Sequence, residues 1–120
     1  MDLEELITLY CTAWDEPDPS RRDRMLQLVW AEDGIYADPT VYAVGRKELC
    51  EHIGKVLARL PGSRIVRSSL ADAHHGMFRF TFKRVQANGE TLREGIDFGE
   101  LSRDGKLQRI AGFFGPPPQK

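Results

Sequence analysis

The chain changes its apolar period at Pro61-Gly62. Before that pair, apolar residues recur every three or four positions; after it they alternate in runs, two of which are joined by Asn88-Gly89 and Asp104-Gly105. The first spacing belongs to helices and the second to strands, and Asn-Gly and Asp-Gly readily take the positive φ that tight hairpin turns need. Helices followed by an antiparallel meander predict an α+β architecture in which the helices cover one face of the sheet. A length of 120 residues supports one core of ordinary size, so residues 1–115 are expected to form a single domain. Residues 116–120 are expected to leave as a tail, because Pro116-Pro117-Pro118 cannot donate to a sheet.

Leu3, Leu6, Ile7, Tyr10 and Trp14 predict a first helix, broken by Pro17 and Pro19. Asp18 or Ser20 caps a second, whose buried positions are Met25, Leu26, Val29 and Trp30 and whose end falls at Glu32-Asp33-Gly34. Arg21, Arg22 and Arg24 near its start read as a solvated face. Residues 35–38 read as a brief strand closed by Pro39, with Tyr36 and Asp38 on one face. After Gly45 a third helix buries Leu49, Ile53, Val56, Leu57 and Leu60. Strands are predicted over 64–71, 77–85, 91–102 and 106–114. Gly95 and Gly99 inside the longest mark curvature, so the sheet should curl around a pocket. Leu92, Ile96 and Phe98 share a face of that strand, which a second copy of the chain would cover, and a homodimer is expected.

With 17 basic and 18 acidic residues, the chain has no general attraction for phosphates or anionic lipid, so neither nucleic acid nor membrane is expected as a partner. No long apolar span interrupts the pattern, and Cys11 and Cys50 lie in different predicted helices, too few for a disulfide scaffold. These features read as a soluble, cytoplasmic protein. No glycine-rich phosphate loop is present. His74 and His75, as strand neighbours, should point to opposite faces, and His52 has no spaced partner, so no metal or other cofactor is expected.

Three titratable residues stand out: Tyr10 on the packed stripe, Asp38 before Pro39, and Asp97 in the middle of a strand, where aspartate is disfavoured. Taken singly they also read as a core phenol, a turn carboxylate and a solvent-facing acid. Together with the element order, the segments Tyr10-Cys11-Thr12-Ala13-Trp14, Trp30 to Pro39, Gly45 to Leu49, Ile96-Asp97-Phe98 and Asp104 to Leu107 resemble the NTF2-like superfamily, also called SnoaL-like or ketosteroid-isomerase-like. The resemblance runs from Leu6 to Gly115. It implies a cone in which a curved antiparallel sheet packs on three N-terminal helices. Within the superfamily, ketosteroid isomerase is the nearest catalytic match. That likeness implies Asp38 as base, Tyr10 and a protonated Asp97 as oxyanion donors, and double-bond isomerisation next to a carbonyl of an apolar small molecule. Trp14, Phe80, Phe82, Ile110 and Phe114 would then line the pocket. The superfamily also holds non-catalytic ligand-binding domains, epoxide hydrolases and cyclases, and these alternatives stay open. Arg93 shares a face with Asp97; clamped onto it, the guanidinium would lower the carboxyl pKa and remove the donor.

Overall fold

The computed structural model describes all 120 residues, as three helices packed against a seven-stranded sheet. Helix α1 (Leu3–Ala13) begins at a reciprocal capping box, in which the Asp2 carboxylate accepts from Glu5 N–H at 2.8 Å and Glu5 accepts from Asp2 N–H at 3.2 Å. Helix α2 (Pro19–Val29) is capped by Asp18, which accepts from Arg21 N–H at 2.9 Å. It does not run on to Glu32-Asp33-Gly34 as expected. Trp30 is already extended and opens β1 (Trp30–Asp38), and the ladder shifts register between Trp30 and Ile35. The two acids therefore lie in an irregular stretch of strand, where they are exposed, while the Trp30 indole lies against Gly34. A short β2 (Val41–Val44), not anticipated, pairs with β1.

Helix α3 (Arg46–Arg59) follows Gly45, whose φ of 88° is open to glycine at little cost. The run predicted as one strand over 64–71 is divided into β3 (Arg64–Arg67) and β4 (Asp72–His74), both paired to β5 (Met77–Val85). Strands β5, β6 (Thr91–Leu101) and β7 (Leu107–Phe114) form the expected meander. The strand order is β2-β1-β7-β6-β5-β3, and because β1 runs parallel to β7 the sheet is mixed rather than wholly antiparallel. His74 and His75 do not point apart. His75 takes φ of 50° in the turn before β5, which brings their Nδ1 atoms to 3.1 Å, and both are exposed away from the interior.

Alternation along β5 turns Phe78, Phe80 and Phe82 inward onto the helices. Opposite them in the ladder are Gly99, Asp97 and Gly95. The Phe78 and Phe82 rings occupy the space that side chains at Gly99 and Gly95 would need. These glycines thus admit the aromatic layer that fills the concave face. Gly99→Ala is expected to lower stability by about 1–3 kcal/mol through overpacking against Phe78, measured by chemical denaturation.

Arg22 is not part of a solvated face. It falls on the inward stripe Arg22, Leu26, Val29 of α2, is 3% exposed, and lies against Gly54 of α3. Helical position, not charge, decides where its stem goes. On the outer surface of the sheet, Phe98 and Phe113 are exposed and meet edge to face with ring centroids 6.1 Å apart.

Candidate active site

Between the helices and the inner face of the sheet lies a cavity of about 280 Å³, towards the small end of ligand-binding sites. Tyr10, Asp38 and Asp97 all line it, although they come from α1, β1 and β6. Of the expected walls, Trp14, Phe82 and Phe114 are present. Phe80 and Ile110 are not. Both are inward-facing, but they lie deeper, in the sealed core among Ile7, Trp30 and Leu107.

Asp38 is held from three directions. Its Oδ2 accepts from the Tyr36 hydroxyl at 2.6 Å, and its Oδ1 accepts from both the backbone N–H and the hydroxyl of Thr40 at 2.7 Å. The period-2 geometry of β1 puts Tyr36 and Asp38 on one face, and the Pro39-Thr40 turn folds Thr40 back onto the carboxylate. Burial, then the negative charges of Asp97 and Asp38, push the Tyr36 phenol well above its ordinary pKa, so it is a lasting donor.

Asp97 is 6% exposed, and its Oδ1 has no hydrogen-bond partner in the protein. Burial first, and the neighbouring Asp38 charge second, raise its pKa to about 7. The Tyr10 hydroxyl is also buried without a partner, and burial followed by the Asp97 charge holds the phenol neutral. Gly112 lies at the meeting point. A Cβ there would come within 2.8 Å of Asp97 Oδ1 and 3.6 Å of both Asp38 Cβ and the Tyr36 hydroxyl. Arg93 does not clamp Asp97: no ion pair joins them, and its guanidinium carbon sits 4.6 Å from the Phe114 ring centroid.

Sequence reasoning missed Tyr36 as a site residue, although its shared face with Asp38 was legible. It also missed His52, whose ring stacks on Tyr36 at 6.2 Å and meets Trp14 edge-on at 5.8 Å. Burial lowers the His52 pKa, which favours a neutral imidazole in the wall. Arg84 was missed too, despite being the next inward position after Phe78, Phe80 and Phe82. No cluster of three or more His, Cys, Asp or Glu side chains has metal-binding geometry. Cys11 borders the cavity, and its thiol is held high by burial.

No protein-family profile matches the sequence, and no curated protein matches it. Solved structures do. A protein from Agrobacterium tumefaciens, provisionally described as an isomerase of the SnoaL-like family, superposes with a TM-score of 0.88 at 27% identity, over 93% of this chain and 96% of its own. This chain belongs to the NTF2-like superfamily. Two further solved structures share the fold at lower identity. One, from Catenulispora acidiphila, has a ketosteroid isomerase-like fold and was solved with trimethylamine; it matches at TM-score 0.73 and 14% identity over 92% of this chain and 85% of its own. The other, from Sinorhizobium meliloti and provisionally described as a polyketide cyclase, matches at 0.72 and 13% over 93% and 96%. An NTF2-like cone accounts for the cavity's position, at the place where three helices cap a curved, unclosed sheet.

Proposed function

We propose that this NTF2-like protein is an enzyme that moves a proton next to the carbonyl of a small, largely apolar molecule, with double-bond isomerisation as its reaction. One observation carries the reading. Two buried groups, the Tyr10 hydroxyl and Asp97 Oδ1, lack protein partners in a cavity where Asp38 is already fixed by three hydrogen bonds. Unpaired buried polar atoms cost roughly 1–3 kcal/mol each, and a substrate oxygen would relieve both.

In this reading Asp38 takes the proton from the carbon between carbonyl and alkene. The C–H electron pair moves into the conjugated system, leaving a dienolate with negative charge on oxygen. Tyr10 and the protonated Asp97 donate hydrogen bonds to that oxygen, and Asp38 returns its proton to the far carbon, so no atom is gained or lost. The A. tumefaciens structure, provisionally described as an isomerase, supports the reaction class. A cavity of about 280 Å³ favours substrates of one or two rings. As part of the same reading, the exposed Phe98 and Phe113 would be covered in a homodimer.

The test is exchange in D2O of a small β,γ-unsaturated ketone, followed by NMR for deuterium next to the carbonyl and by absorbance for the conjugated product. Wild type is expected to accelerate both over Asp38→Asn. Equal rates with the two proteins would reject the assignment.

A further inference from the structure

The cavity that holds two carboxyl groups also holds three arginines, Arg59, Arg84 and Arg93. None of them belongs to any of the four ion pairs in the molecule. Arg84 is the most unusual. It is 7% exposed, and the only hydrogen bond of its side chain runs from Nη1 to the Ser63 hydroxyl at 3.3 Å. Its guanidinium carbon lies 5.6 Å from the Trp14 ring centroid. The nearby Asp15 carboxylate does not come within ion-pair distance of it, and accepts instead from Ile65 N–H at 2.8 Å. A buried guanidinium ordinarily has a counter-charge.

Arg84 and Arg93 are moreover direct partners in the β5–β6 ladder, and both line the cavity. Like charges facing each other across two strands destabilise a sheet. The Trp14 and Phe114 rings beside the two guanidinium groups carry no net negative charge, whereas an anion between them would relieve the repulsion. Neither protein carboxylate in the cavity serves: Asp38 is occupied by Tyr36 and Thr40, and Asp97 makes no ion pair.

The surroundings give such a ligand a shape. Arg93 and Asp97 are four residues apart on β6, about 13 Å between Cα atoms at strand rise. Between them on the same face is Gly95, and the Phe82 ring lies over it. A charged end, a flat apolar floor and an unpaired acid follow one another along the cavity wall.

We propose that Arg84 and Arg93 form an anion-binding subsite, so that the ligand is an apolar acid with a carboxylate or phosphate at the end remote from Asp97. Guanidinium forks bind either oxyanion through paired N–H groups. The position of the reacting carbon rests on the function proposed above; the anion subsite does not.

Calorimetric titration with 2-naphthylacetate and its neutral counterpart 2-naphthylacetamide tests the subsite. Wild type is expected to bind the acid about tenfold more tightly or better, an increment of about 1.4 kcal/mol. Arg93→Gln, at an exposed position, should bring the two affinities within about threefold of each other. Arg84→Met should do the same, with its fold checked by circular dichroism; should it fail to fold, Arg93→Gln decides. Equal binding of acid and amide by wild type, no binding of either, or a preference that survives Arg93→Gln would overturn the proposal. Titration with 2-naphthyl phosphate then names the source, as the tighter of the two anions. Asp38→Asn separates the two readings: it should keep the preference for the acid even though it slows exchange.

Discussion

Asp38→Asn should reduce turnover of a β,γ-unsaturated ketone by about 10²- to 10⁴-fold with little change in melting temperature. The two halves of this expectation come from different parts of the geometry. Chemistry is lost because an amide cannot take a proton from carbon near neutral pH. Folding is kept because the amide oxygen can still accept from Thr40, and the amide nitrogen can donate to the Tyr36 hydroxyl that formerly donated to Oδ2. Tyr36→Phe should cost less chemically. It leaves the base in place and removes one of its three supports, so the expected loss is nearer tenfold, about the worth of one hydrogen bond to a charged group. Measuring kcat and KM separately is decisive, since a positioning role for Tyr36 lowers kcat. If Tyr36→Phe is as damaging as Asp38→Asn, the pair acts as a unit. If Asp38→Asn retains wild-type kcat, the base lies elsewhere.

Much of this arrangement was readable from residue spacing, and the parts that were not share a cause. The stripes of α1 and α3, and the alternation of β5, depend on contacts between near neighbours and so appear in the sequence directly. Tyr36 and Asp38 could be placed on one face for the same reason, but Thr40 folding back onto Asp38 could not, because a turn sets that contact. Arg22 and Arg84 were misjudged or passed over where charge was allowed to outweigh period: Arg22 continues the Leu26-Val29 stripe, and Arg84 continues Phe78-Phe80-Phe82. Depth is a separate matter. Phe80 and Phe82 face the same way, yet one is sealed and the other borders the cavity, and only the packing of helices across the sheet decides which. Strands β2 and β4, of four and three residues, are too short for their alternation to register. The resemblance carried by Tyr10, Asp38 and Asp97 brought together three residues from distant segments that spacing alone would have left apart.

Asp97→Asn should change how stability depends on pH by up to about 4 kcal/mol, and the sign follows from where the proton sits. In the unfolded chain Asp97 titrates near the ordinary aspartate value of about 4, whereas in the folded protein burial and Asp38 raise it to about 7. Below the lower value both states are protonated, and burying the neutral acid carries no charge penalty. Between the two values the folded state holds a proton that the unfolded state releases, so each step up in pH favours unfolding. Above the higher value the loss is complete, and the folded protein carries a buried anion beside Asp38. Wild type should therefore lose stability relative to Asp97→Asn across roughly pH 4 to 7 and run parallel to it on either side. Because Asp97 Oδ1 has no partner, the amide brings its own cost of unmet hydrogen bonds, which shifts the variant's curve by a constant and leaves the slope as the readout. Urea denaturation at intervals from pH 4 to 8 measures it. Parallel curves throughout would mean that Asp97 ionises normally in the folded protein, and the neutral donor on which the oxyanion chemistry depends would be absent at working pH. A slope of the expected sign carries a consequence for activity as well: isomerisation should fall as pH rises through about 7, as Asp97 gives up the proton it donates to the developing oxyanion.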